Sequence, residues 1–254
     1  MNSGRSFGNT KQRHNIIKTM QHNPLIIALD TQDKKEALKL VKDLKEHVSF
    51  FKVGLELFTA CGPDIIKEIK QEGCKVFVDL KFLDIPNTVR RAVSNLVKLK
   101  VDMLNVHLTG GMEMLYRARE TLLKEGGTNP PKLLGVTVLT SINEDALQND
   151  LGIKAQLDEY VLHRAKLAHE AKLDGIICSP NEVKIIREKI GKDFLIVTPG
   201  VRPQWAEKND QKRTATPKEA IQNGASYIVI GRPVTRAEEP REAIKKIIEE
   251  IKNL

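Results

Sequence analysis

Asp79, Lys81 and Asp84 lie within six residues of one another, in the run Lys75-Val-Phe-Val-Asp79-Leu-Lys81-Phe-Leu-Asp84-Ile-Pro-Asn-Thr88. Three charged groups this close together, at the end of an apolar strand, are where this chain could do chemistry. Ahead of the charges, Val76, Phe77 and Val78 read as a buried strand, and a period of two sends Asp79 and Lys81 to one side with Leu80 opposite. Pro86 stops the strand, and Asn87 or Thr88 can cap a following helix. Asp84 falls in the turn between them, within reach of the ammonium or of another chain. Taken alone, the cluster also fits a solvated ion pair worth roughly 0 to 1 kcal/mol, so its meaning rests on the elements around it.

Those elements are legible from Pro24 onward as apolar runs alternating with amphipathic stretches. Strands are expected at 25–29, 50–53, 75–78, 103–106, 133–139, 175–178, 194–198 and 227–230. Helical patterns fall at 34–46, 63–72, 89–98, 113–124, 157–172, 182–189 and 217–223, with a last helix at 240–252. Eight strands each followed by a helix fit a single closed (β/α)8 TIM barrel better than an open doubly wound sheet. A chain of 254 residues with 41% hydrophobic content is the right size for one such core. The longest loops, 141–154 and 202–216, are of a length that usually carries function or moves.

In a barrel of this kind the active site gathers at the carboxyl ends of the strands. The polar residues obey that rule. Asp30 ends the first strand, Lys52 and Gly54 the second, Asp79 and Lys81 the third, and His107 follows the fourth. Thr140 and Ser141 end the fifth, Pro199-Gly200-Val201-Arg202 follows the seventh, and Gly231-Arg232 follows the eighth. Barrels often hold phosphate between the loops after strands seven and eight, where glycine lets backbone amides approach an anion. Arg202 and Arg232 add charge-assisted, bidentate-capable donors at those two places. Jointly they favour a phosphorylated substrate.

Composition excludes several other classes. Aromatic residues make up only 4% of the chain, little material for stacking on nucleic-acid bases. Half of the net charge of +8 comes from Arg5, Lys11, Arg13 and Lys18 in a leader without acids. Residues 1–23 read as a flexible polar extension, or as a start-site artefact given Met20, and 24–254 as the catalytic barrel. Cys61, Cys74 and Cys178 are odd in number and lack metal-type spacing, which points to reduced thiols in the cytoplasm. No apolar stretch approaches the ~20 residues of a membrane span, and no signal peptide is visible. No metal site is readable; His107, His163 and His169 are expected to be structural or surface residues.

Three segments carry a resemblance: Asp79-Leu-Lys81-Phe-Leu-Asp84-Ile-Pro-Asn-Thr88, Thr198-Pro-Gly-Val-Arg202-Pro and Tyr227-Ile-Val-Ile-Gly231-Arg232-Pro. In order and in detail they resemble orotidine 5'-phosphate decarboxylases of the bacterial type, over about residues 24–250. The resemblance implies loss of CO2 from orotidine 5'-monophosphate to give UMP, without metal or cofactor, in a homodimer with shared sites. It implies Lys81 as cation and proton donor, Asp79 facing the departing carboxylate, and Lys52 and Asp84 completing an alternating network. Asp30 and Lys52 are then expected on the ribose, with Asp84, Ile85 and Thr88 entering the neighbouring subunit's site. Thr140 lines the pyrimidine pocket, Ser141 reaches the base edge and Pro199 packs on the ring. Arg202, Gln211, Gly231 and Arg232 are expected on the phosphate. Where the family's phosphate loop reads Gly-Asp-Gln, this chain has Asn209-Asp210-Gln211; Asn tolerates the positive φ that Gly would supply. Trp205 stands in that loop where a smaller residue is usual.

Other readings make distinct claims. A Schiff-base aldolase needs a neutral lysine, whereas the two carboxylates favour an ammonium. A magnesium-dependent sugar-phosphate decarboxylase or aldolase of the same superfamily is disfavoured by Ile85-Pro86-Asn87-Thr88. A nucleic-acid-binding module would work through the basic leader with strong salt dependence, and it leaves the barrel-mouth pattern unexplained.

Overall fold

The computed structural model describes residues 23–206 and 214–252. In chain order the elements are β1 (Leu25–Ala28), α1 (Lys34–Leu44), β2 (Phe50–Gly54), α2 (Leu55–Cys61), α3 (Asp64–Gln71), β3 (Lys75–Phe82), α4 (Pro86–Lys98) and β4 (Met103–His107). There follow α5 (Gly111–Glu125), β5 (Lys132–Val136), α6 (Glu144–Asn149), α7 (Leu157–Glu170), β6 (Gly175–Ile177) and α8 (Val183–Ile190). β7 (Leu195–Thr198), α9 (Pro217–Gln222), β8 (Tyr227–Ile230), α10 (Arg232–Thr235) and α11 (Pro240–Lys252) complete the series. Each strand pairs in parallel with the next, and β8 returns to β1 through Leu25 opposite Ile228, closing the barrel.

Parallel strands covered by helices must be apolar on both faces, and the two faces form two cores. Outward residues such as Ile27, Phe51, Val76 and Leu104 pack under the helices with Leu40, Ile66, Val93 and Leu115. Inward residues Ile26, Phe50, Phe77, Met103, Leu134 and Val197 fill the barrel. The same two-residue phase that buries Phe50, Phe77 and Met103 inside carries Lys52, Asp79 and Asn105 inward one step nearer the carboxyl ends. The interior therefore changes from apolar to charged along its axis. At the opposite end, Asp102 accepts the Val76 N–H at 2.8 Å and Asp174 the Leu133 N–H at 2.9 Å, fastening the strand starts.

The structure departs from the sequence expectations in a few places. β3 does not end at Val78 but runs to Phe82, which regains its pairing with Val106 of β4. The next helix starts at Pro86 with Ile85 as a cap that offers no side-chain hydrogen bond, so neither Asn87 nor Thr88 is the cap. Proline suits the first helical position because its missing N–H would be unpaired there anyway; Asn87 instead accepts from the Arg90 guanidinium at 3.1 Å. β5 stops at Val136 rather than 139. α2 is a helix where the alternation marks none, and α6 lies within the expected loop 141–154, capped by Asn143, whose Oδ1 accepts the Ala146 N–H at 2.9 Å. Asn23, assigned to the leader, is tied to the barrel: its Nδ2 donates to the His47 carbonyl at 2.8 Å. Leader residues 1–22 and Gln211 lie outside the described residues.

Candidate active site at the barrel mouth

At the carboxyl ends of the strands a cavity of about 300 Å³ opens. Its floor and walls are apolar, with Ala28, Phe77, Val136, Ile177, Val197 and Val229, the upper layer of the inner core. Asp30, Lys52, Asp79 and Lys81 line it from β1, β2 and β3, and Pro199, Gly200, Arg202, Gly231 and Arg232 from the segments that follow β7 and β8; Gly231 adjoins Asp30, whose carboxylate a Cβ there would meet at 3.4 Å. Thr140 and Ser141 rim it after β5.

Asp30, Lys52, Asp79 and Lys81 form a chain of alternating sign. Lys52 Nζ lies 3.1 Å from Asp30 Oδ1 and 3.4 Å from Asp79 Oδ2, and Lys81 Nζ lies 2.7 Å from Asp79 Oδ1. Gly54 makes room for this, since a Cβ there would stand 2.9 Å from the Lys52 ammonium. Burial works against ionising Asp79, but Lys52, Lys81 and the hydrogen bonds from Lys81 and Asn105 outweigh it and hold its carboxyl below the usual range. Burial likewise opposes charging Lys52, yet Asp79 and Asp30 raise it above an ordinary lysine. Both groups are therefore ionised at neutral pH.

Sequence periodicity alone does not account for how Lys81 meets Asp79. Between Val78 and Phe82 the β3 ladder breaks: Asp79, Leu80 and Lys81 stand where β4 has Asn105 alone. Lys81 adopts a left-handed backbone, φ 50°, which costs a residue with a Cβ on the order of 1 kcal/mol. Asn105, entirely buried, receives the Lys81 backbone N–H at 2.7 Å and donates to Asp79 Oδ1 at 2.7 Å. The sequence reading passed over Asn105. Its signal was present, a polar residue at an inward position of the apolar run Met103-Leu-Asn105-Val.

The remaining candidates divide. Arg202 is buried at the mouth, and the stem of its loop is closed by the Val201–Ala215 bridge, with the Arg202 N–H donating to the Ala215 carbonyl at 2.9 Å. Asp84, Ile85 and Thr88 are exposed and do not line their own chain's cavity. The Asp84 carboxylate accepts the Ile85 N–H at 2.7 Å. His107 is spent locally, 2.7 Å from the Thr109 hydroxyl, and burial keeps its imidazole below the usual range. Trp205 is half exposed at the start of its loop.

A parallel barrel whose mouth joins a lysine–carboxylate chain and two arginines around an apolar pocket is the architecture of a barrel enzyme with its site at the strand carboxyl ends. The chain belongs to the orotidine 5'-phosphate decarboxylase / HUMPS family, whose model it matches over residues 23–247. It is 48% identical to the orotidine 5'-phosphate decarboxylase of Syntrophomonas wolfei subsp. wolfei, over 89% of this chain and 97% of that protein. It is also 48% identical to the protein of the same name from a Nostoc species, over 91% of this chain and 98% of that one. The crystal structure of orotidine 5'-phosphate decarboxylase from Lactobacillus acidophilus superposes with a TM-score of 0.80 at 43% identity, covering 90% of this chain and 99% of that chain.

The charge chain has a pH signature. Lys52→Ala removes one of the two cations on the buried Asp79 carboxylate and is expected to lower the unfolding free energy at neutral pH by about 2 kcal/mol. In the wild type, the stabilisation from ionised Asp79 is complete above the ordinary aspartate range and is lost as pH falls through its depressed folded value. Without Lys52, Asp79 protonates at higher pH and sheds its penalty, so the deficit shrinks on acidification. Denaturant unfolding of both proteins between about pH 7 and about pH 4 measures this; a deficit constant with pH would contradict it.

Proposed function

We propose that this chain decarboxylates orotidine 5'-monophosphate to UMP and CO2, the last step of UMP biosynthesis. The observation that carries the reading is Asp79 held between two ammoniums, 3.4 Å from Lys52 and 2.7 Å from Lys81, at the edge of a pocket that Arg202 and Arg232 also line. The phosphate would be held by Arg202, Gly231 and Arg232 together with Gln211, and the ribose by Asp30 and Lys52. Pro199, Thr140, Ser141 and the apolar walls would enclose the pyrimidine.

With the phosphate anchored, the ring carboxylate is directed at Asp79. Like-charge repulsion there raises the ground state and relaxes as CO2 departs. The C–C bond breaks with its electron pair left on the ring carbon. That carbanion is what the site must stabilise more than the substrate. The Lys81 ammonium supplies the stabilisation and then its proton, forming the C–H bond of UMP, and recovers a proton from solvent. No electron acceptor enters the balance, so the proposed chemistry requires no metal or organic cofactor.

We further propose a homodimer in which Asp84, Ile85 and Thr88 complete the neighbouring site. Leu83 and Ile85 support this: they are 55% and 68% exposed beside the mouth, an apolar edge suited to a second copy. No described helix is long and apolar enough to cross a membrane. The three cysteines are unbridged, which supports the cytoplasm as the compartment.

Loss of ultraviolet absorbance by orotidine 5'-monophosphate, followed with EDTA present, tests the reaction. Turnover by the wild type and a loss of several orders of magnitude in Lys81→Ala are expected; a folded wild type that leaves the nucleotide unchanged refutes the reading. For the shared site, Lys81→Ala and Asp84→Ala homodimers should each be nearly inactive, while mixing them restores one intact site per heterodimer. No recovery after verified subunit exchange would contradict it.

A further inference from the structure

Building on that reading, we propose that Asn105 is a positioning residue: its amide holds β3 in the broken-ladder conformation that aims Lys81 into the cavity and fixes the Asp79 carboxylate. Three observations converge on one side chain. Lys81 carries a left-handed backbone although it is not glycine, so something must hold it there. The β3–β4 ladder offers its N–H no strand partner, because pairing lapses between Val78 and Phe82. The Asn105 Oδ1 takes that N–H at 2.7 Å, in a place with no solvent exposure.

The other end of the same amide acts on the second catalytic group. Asn105 Nδ2 donates at 2.7 Å to Asp79 Oδ1, the oxygen that also receives the Lys81 ammonium at 2.7 Å. Lys81 main chain, Asn105 amide, Asp79 carboxylate and Lys81 ammonium thus form a closed ring. Its donor and acceptor requirements are specific. The position facing the N–H must accept and the position facing the carboxylate must donate, which an amide does and neither an ionised carboxylate nor an apolar side chain can. Asn105 needs no contact with substrate for this; it acts by fixing where the Lys81 proton sits, and misplacement by about 1 Å costs catalysis on the order of 10²-fold.

Two variants separate positioning from mere filling. In Asn105→Leu, the Lys81 N–H and one Asp79 bond lose their partner, so kcat is expected to fall about 10²-fold. KM should change little, since the arginines proposed to hold the phosphate follow β7 and β8, away from β4. In the isosteric Asn105→Asp, the new carboxyl still accepts the N–H but must be protonated to donate to Asp79, which Lys52 from β2 and Lys81 from its own strand also face. Its kcat should therefore be low at neutral pH and rise on acidification, a limb absent from the wild type.

Wild-type kcat and pH profile in folded Asn105→Asp and Asn105→Leu would overturn the proposal. So would a loss confined to KM, or failure of even Asn105→Asp to fold, which would make the residue a determinant of the fold. A readout independent of turnover is amide hydrogen exchange at Lys81, expected to be protected in the wild type and accelerated in Asn105→Leu. An inactive wild type with that protection intact would count against the reaction assigned above, while an unprotected Lys81 amide in an active wild type would count against Asn105.

Discussion

The site depends on one buried carboxylate held between two ammoniums. Asp79 is largely withdrawn from water, and an ionised carboxylate in such a place is costly unless its partners are near and well aimed. Lys52 and Lys81 supply opposite charge on its two oxygens, and Asn105 adds a neutral donor. Each ammonium depends on the carboxylate in turn, so the network exists as a set. An attraction of about 4 kcal/mol per contact at 4 Å and an effective dielectric of about 20 is enough to hold the alternating charges but leaves no slack for a missing member.

The barrel is what makes such a set affordable. Four consecutive parallel strands end at one level, so Asp30, Lys52, Asp79 with Lys81, and Asn105 converge without any long loop to order. The apolar inner core beneath them excludes water and keeps the electrostatics strong. The segments that follow β7 and β8 bring arginines and glycines to the same cavity. The pocket therefore carries both arginines and the lysine–carboxylate chain on its rim. In the proposed reaction, binding energy gathered at a remote phosphate can be spent on forcing a second anion against Asp79.

Much of this was legible in the residues because parallel strands are apolar on both faces and stand out as runs. All eight strands overlap the runs the alternation placed, with β3 longer and β5 shorter, and Asp30, Lys52, Asp79, Lys81, Arg202 and Arg232 line one cavity. What escaped the sequence was conformational. A period of two puts Asp79 and Lys81 on one side of an ideal strand, but the real β3 reaches that result through a lapse in pairing and a left-handed lysine. Neither leaves a compositional mark, since the residue in the unusual conformation is not a glycine. Asn105 escaped for a related reason: its importance lies in partners on the neighbouring strand, more than twenty positions away. Asp84, Ile85 and Thr88 were grouped with the site by resemblance, whereas in the single chain they face outward.

The central claim is that the pocket complements negative charge developing on the pyrimidine ring, with Lys81 as the group that meets it. The most direct measurement is the affinity of a UMP analogue bearing an anionic oxygen on the ring carbon that loses CO2, compared with UMP itself. The account predicts binding at least about 10²-fold tighter than UMP, with that advantage abolished in Lys81→Ala. Equal affinity for the two nucleotides, or an advantage that survives Lys81→Ala, would contradict it.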